Sequence, residues 1–94
     1  MYKFEWNEEK NLINIKKHNL SFEEAKEAFY DEYALIVYDQ DHSDDEDRFY
    51  QIGMIKNLNI VTVIFCIRQV DTIRIISARY ANKKEIEKYE EERI

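Results

Sequence analysis

Along this chain the spacing of hydrophobic residues changes period once, near Ala34, and that change limits the fold more than any other feature. Before it, Phe22, Ala25, Ala28 and Phe29 recur at helical spacing. After it come three β-rich runs, residues 48–55, 60–68 and 72–80, separated only by short polar turns at 56–59 and 69–71. Strands joined so tightly pair antiparallel, because parallel neighbours need a crossover of about a dozen residues or more. Helices followed by a run of strands predict an α+β fold, with helices covering one face of an antiparallel sheet.

Local signals refine this plan. Residues 2–6 alternate and read as a first strand. Asn7 is a good helix N-cap, with Glu8 and Glu9 complementing the dipole of the first turn. Leu12, Ile13 and Ile15 are expected to form the apolar side of that helix. Lys16, Lys17 and His18 collect at its C-terminal end, and Asn19 suits the left-handed stop. Ser21 and Glu24 form a capping box for the second helix. Residues 34–38 make a strand, followed by an acidic loop over 39–47. Asn82 with Glu85 caps a last helix running to 93, anchored mainly by Ile86 and Tyr89 and expected to be loosely held. The expected order is β-α-α-β-β-β-β-α. With 94 residues, one glycine, no proline and no linker, the chain reads as a single domain over residues 1–94.

The net charge of −6 argues against a general nucleic-acid binder, whose affinity comes largely from cations on phosphates. The acids are unevenly spread, however, with six of the twenty between Asp39 and Asp47. Lys10, Lys16, Lys17, Arg68, Arg74 and Arg79 lie outside that run. A local basic surface therefore stays open, and an acidic face suits a basic partner. The single cysteine, Cys66, can form no internal disulfide and sits in an apolar run, which fits a reducing compartment. The N-terminus lacks the regions of a signal peptide and no stretch is long enough to span a bilayer, so a cytoplasmic protein without membrane contact is expected.

Four groups of residues are candidates for chemistry. Lys16, Lys17 and His18 can contact phosphate, with His18 acting as a general acid or base, although cations also favour a helix C-terminus for structural reasons. The loop 39–47 lacks the turn glycine and bidentate glutamate of an EF-hand, so a solvated loop, or a hydrogen-bonding role for His42 and Glu46, is expected instead of a metal site. Arg68, Arg74 and Arg79 interrupt strands that otherwise favour apolar residues. Such arginines must be paired or solvated, and a converging set suits a phosphodiester whose charge grows in the transition state. Strict alternation sends Arg74 and Arg79 to opposite faces. Bringing them together needs a bulge near Ile75 and Ile76, or a turn of the chain at the strand end. Finally, Trp6, Tyr50, Tyr80 and Tyr89 can stack on bases or pack in the core.

Taken together these stretches resemble the BrnT toxin family over nearly the whole chain. The resemblance rests on Phe4-Glu5-Trp6, Lys10, Asn14, Lys17-His18, Ser21-Phe22-Glu23-Glu24-Ala25, Phe29, His42-Ser43, Glu46, Arg48, Gly53 and Arg68. Above all it rests on Arg74-Ile75-Ile76-Ser77-Ala78-Arg79, continued by Ala81, Glu85 and Tyr89-Glu90. It implies a RelE-like fold, a metal-independent ribonuclease that inhibits translation with no cofactor, and neutralisation by a BrnA-like antitoxin. Operator DNA would be bound only through that antitoxin. By position, Lys10, Lys17 and His18 are implied for proton transfer and phosphate contact, Arg68, Arg74 and Arg79 for holding the phosphate, and Glu46 with Arg48 for orienting them or acting directly. Asn7 and Asn19 replace the family's usual Asp and Gly while keeping the capping physics. Cys66-Ile67 and Ile86 make the RNA face less polar and less basic. A module that sequesters a DNA-binding antitoxin and co-represses its operon, with little catalysis of its own, is the alternative. A metal-dependent enzyme using the acidic loop is the third reading.

Overall fold

A computed structural model of the chain describes residues 2–93. The elements follow the expected order: β1 (Lys3–Trp6), α1 (Glu8–His18), α2 (Phe22–Ala25) continuing into a 3-10 helix (Lys26–Tyr30), β2 (Leu35–Tyr38), β3 (Phe49–Met54), β4 (Ile60–Arg68), β5 (Thr72–Tyr80) and α3 (Lys83–Arg93). The α+β class is as expected. Strands β2 to β5 form the antiparallel meander, and β1 adds to β5 in parallel, giving the order β1-β5-β4-β3-β2.

The helix ends obey the capping signals. The Asn7 side chain accepts from Lys10 N–H, Asn19 stops α1 at φ 56°, and Ser21 with Glu24 makes a reciprocal box. The core lies between one sheet face and the α2 segment. Leu20, Phe22, Ala25, Ala28 and Phe29 pack on Val61, Val63, Phe65, Ile73, Ile75 and Ala78. Gly53 is required there, because a Cβ would come within 2.8 Å of the Ala28 carbonyl oxygen. The β4–β5 turn spans Gln69, Val70 and Asp71 between the register partners Arg68 and Thr72, with Gln69 and Val70 both at positive φ (52° and 76°).

Two expectations need correction. Helix α1 does not pack through Leu12, Ile13 and Ile15, which are all exposed. Its buried residues are Asn11 and Asn14. The register of β1 with β5 reaches only Trp6 and Ile75, and the Ala78 N–H beyond it is taken by Asn14 Oδ1 at 3.2 Å. Asn14 Nδ2 donates to the Leu20 carbonyl at 2.9 Å, and Asn11 Oδ1 accepts from Phe22 N–H at 2.8 Å. Buried backbone groups must be paired, so amides displace aliphatics on this helix face. Nor do all helices share one face. Ile52 and Thr62 are register partners pointing away from the core, yet both are buried. Helix α3 lies over them, holding Arg79, the register partner of Thr62, through Glu85. Its anchors exceed Ile86 and Tyr89. The Tyr89 hydroxyl, fully buried, donates to Asp31 at 2.6 Å, and Glu85 caps the helix with Asn82.

Candidate functional site

The second sheet face, from the N-terminal turn of α3 outward, gathers the charged residues. Between Ile64 and Phe65 of β4 the register slips: Ile64 faces Ser77, Phe65 faces Ile75, and Ile76 is left without a partner. This is a β-bulge, the first of the two ways of bringing Arg74 and Arg79 to one face. Ile73, Ile75 and Ala78 stay buried in the core, and the extra residue turns Arg79 to the same face as Arg74. Arg68 follows Cys66 by one alternation on β4, and Cys66 is the partner of Arg74, so all three arginines share this face.

They do not converge on one point. Arg79 lies opposite Thr62, six residues along β4 from Arg68, which spaces the two backbones by about 20 Å. Each guanidinium also has its own carboxylate. Arg68 holds Glu46 through Nε (3.1 Å) and Nη2 (3.2 Å). Arg74 holds Glu5 at 2.7 Å, across the β1–β5 pairing that sets these two residues side by side. Arg79 forks onto Glu85 at 2.7 and 3.0 Å. The expectation of a single converging cluster therefore gives way to a line of arginines along an open face. Glu85 titrates below the usual carboxylate range. Burial alone would raise it, but the two bonds from Arg79 and the one from the Asn82 backbone outweigh that cost.

The acidic loop 39–47 borders this face and is tied down. Asp39 N–H donates to the Arg48 carbonyl at 2.9 Å, closing the loop at its base. Ser43 Oγ donates to the Asp39 carbonyl and accepts from Arg48 N–H. Several acids are engaged inside the fold: Asp39 with His42, Glu46 with Arg68, and Asp47 with the Tyr38 hydroxyl. Asp39 is buried, and its Oδ2 lies 3.0 Å from His42 Nδ1. The Tyr50 phenol is pushed up by burial first and the Asp39 carboxylate second.

Lys10, Lys17 and His18 lie on α1, apart from the arginine line. Among the described residues no side-chain hydrogen bond or ion pair engages any of them. Lys10 and Lys17 are exposed and His18 half-buried, near Asn19, whose carbonyl accepts from the Tyr80 hydroxyl at 3.3 Å. Sequence reasoning missed Glu5 and Glu85 as arginine partners and Asp39 as a member of the site, and it offered Tyr50 only as a base-stacking or core aromatic. Glu5 and Glu85 lie far from their arginines or in another element, so only pairing register exposes them. Asp39 and His42, three apart in a loop that begins where a strand ends, carried a readable signal.

A sequence profile described as "Ribonuclease toxin, BrnT, of type II toxin-antitoxin system" matches residues 6–85. That places the chain in a class, the toxins of type II toxin–antitoxin systems, in which an antitoxin partner is implied. Among solved structures, the crystal structure of the Brucella abortus ribonuclease toxin BrnT is similar, with a TM-score of 0.69 and 27% identity, covering 88% of this chain and 100% of that one. Within its class, the chain belongs to the BrnT family. No curated protein matches it. Among the described residues no helix is long and apolar enough to cross a membrane.

Proposed function

We infer that this chain, as one domain over residues 1–94, is an endoribonuclease toxin that cleaves RNA by metal-independent acid–base chemistry and inhibits translation. A BrnA-like antitoxin neutralises it and carries the pair to operator DNA. The observation that supports this most is the bulge at Ile76, which sets Arg68, Arg74 and Arg79 on one open face in a chain of a ribonuclease toxin family.

The chemistry follows from what cleavage demands. A ribose 2′-oxygen attacks phosphorus, the phosphate gains negative charge, and the 5′-oxygen leaves with a proton. Guanidinium groups stabilise that extra charge, and their carboxylate partners hold them preoriented. Spaced along the face, the three arginines fit the backbone of a strand, with successive phosphates exchanging for Glu46, Glu5 and Glu85. Lys10, Lys17 and His18, unpaired within the fold, add phosphate contact and proton transfer from α1.

The test is direct. Purified protein should cleave RNA in the presence of EDTA, and its expression should arrest bacterial growth unless an antitoxin from the neighbouring reading frame is co-expressed. Failure to cleave RNA with or without metal would overturn the enzymatic reading. Cleavage abolished by EDTA would overturn its metal independence.

A further inference from the structure

We propose that His42, held by Asp39, is the general base of the cleavage reaction, a proposal that rests on the ribonuclease reading above. Asp39 is 5% exposed and His42 Nδ1 approaches its two oxygens at 3.0 and 3.3 Å. An ionised carboxylate can only accept, so the ring proton of neutral His42 resides on Nδ1. Nε2 is then left as a free acceptor on a side chain that is 66% exposed. A buried carboxylate that fixes tautomer and orientation while the other nitrogen faces outward is the arrangement a proton acceptor needs.

Its surroundings fit the task. The loop bearing His42 touches the arginine line at Arg68. Glu46 grips Arg68, and Asp39 neighbours Tyr50, which feels the charge of Arg79. His42 lines an open hollow of about 210 Å³ with Asp44, Asp45, Glu46 and Arg48. By contrast, among the described residues no hydrogen bond fixes the His18 ring. In the step assigned here, His42 Nε2 takes the proton of the 2′-hydroxyl as the 2′-oxygen–phosphorus bond forms. The phosphorus–5′-oxygen bond breaks, and the departing 5′-oxygen takes a proton from the Lys10, Lys17 and His18 group of α1 assigned to proton transfer above, which water reprotonates. The products are a 2′,3′-cyclic phosphate and a 5′-hydroxyl. Asp39 is a positioning residue, because it acts through the imidazole.

The experiment measures kcat against pH for cleavage of a defined RNA by the parent, His42→Gln, His42→Ala and Asp39→Asn, with a thermal melt of each. His42→Gln should lose about a hundredfold or more in kcat with its melting temperature unchanged, since the ring is largely exposed. A base acts only when unprotonated, so the parental rate should rise with pH across the imidazole range. The charged groups facing the ring, Asp39 at Nδ1 with Asp44, Asp45, Glu46 and Arg48 around the hollow, set where that rise falls. The rise should vanish in His42→Gln and persist at a lower rate in Asp39→Asn. Added imidazole should restore part of the activity of His42→Ala, which a structural role would not permit. An active parent with an equally active His42→Gln, or a pH rise surviving in that variant, overturns the proposal and leaves the ribonuclease reading intact. A parent that never cleaves RNA overturns both.

Discussion

Arg79→Ala separates the two roles that Arg79 combines. The guanidinium makes two charge-assisted bonds to Glu85 and lies across from Thr62. Truncation leaves Glu85, only 14% exposed, with its Asn82 N–H partner at 2.9 Å but no counterion. Charged hydrogen bonds are worth about 1.5–3 kcal/mol. Arg79 is about a third exposed, so screening reduces the loss to about 1–2 kcal/mol. For a domain of this size that lowers the melting temperature by roughly 5–15 °C. If Arg79 also meets phosphate in the transition state, cleavage falls about ten- to a hundredfold. Melting curves and RNA cleavage are measured on Arg79→Ala, Glu85→Ala and the double variant. Stability should couple between the two sites, because the double variant leaves no orphan carboxylate. Cleavage should stay low wherever Arg79 is missing and fall less in Glu85→Ala, which loses only the preorientation of a guanidinium that is still present. The sign of the pH effect follows from Glu85. Its folded-state pKa lies below its unfolded one, so the pair stabilises fully above about pH 4.5 and loses its contribution as pH falls through the folded value. The melting gap between parent and Arg79→Ala should therefore close in strong acid. If Glu85→Ala costs as much cleavage as Arg79→Ala and the double variant is no worse, Arg79 acts by holding α3 and does not act on phosphate.

Two further predictions concern the frame around the site. Asn14→Ala strips partners from the Leu20 carbonyl and the Ala78 N–H, at about 1–3 kcal/mol each. Chemical denaturation should show a total loss of about 2–5 kcal/mol, and a loss below about 1 kcal/mol would refute the bridging role. Val70→Gly relieves a β-branched residue at φ 76°, worth about 1–2 kcal/mol, against about 0.5–1 kcal/mol of added unfolded-chain entropy. The melting temperature should rise by a few degrees, and a fall would show that the turn carries no strain.

Much of the architecture was legible because it depends on local chemistry. Periodicity separated helices from strands, Asn7, Ser21 and Asn82 marked the helix starts, and Asn19 marked the end of α1. The bulge at Ile76 was one of two ways the sequence left open to bring Arg74 and Arg79 to one face, and the strand register decided between them. The resemblance carried by the Arg-Ile-Ile-Ser-Ala-Arg run led to the family that the profile match shows. What the sequence left undecided was everything that depends on which surfaces meet. The burial of Asn11 and Asn14 in place of Leu12 and Ile13 follows from β1 ending at Trp6 and leaving Ala78 to be satisfied by a side chain. The choice of Glu5, Glu46 and Glu85 as arginine partners, and the crossing of α3 to the second face, were likewise settled in three dimensions. Short-range signals act through the backbone of a few neighbouring residues and can be read along the chain. A charge pair joining residues 5 and 74 is set by strand register, which forms only when distant segments pack.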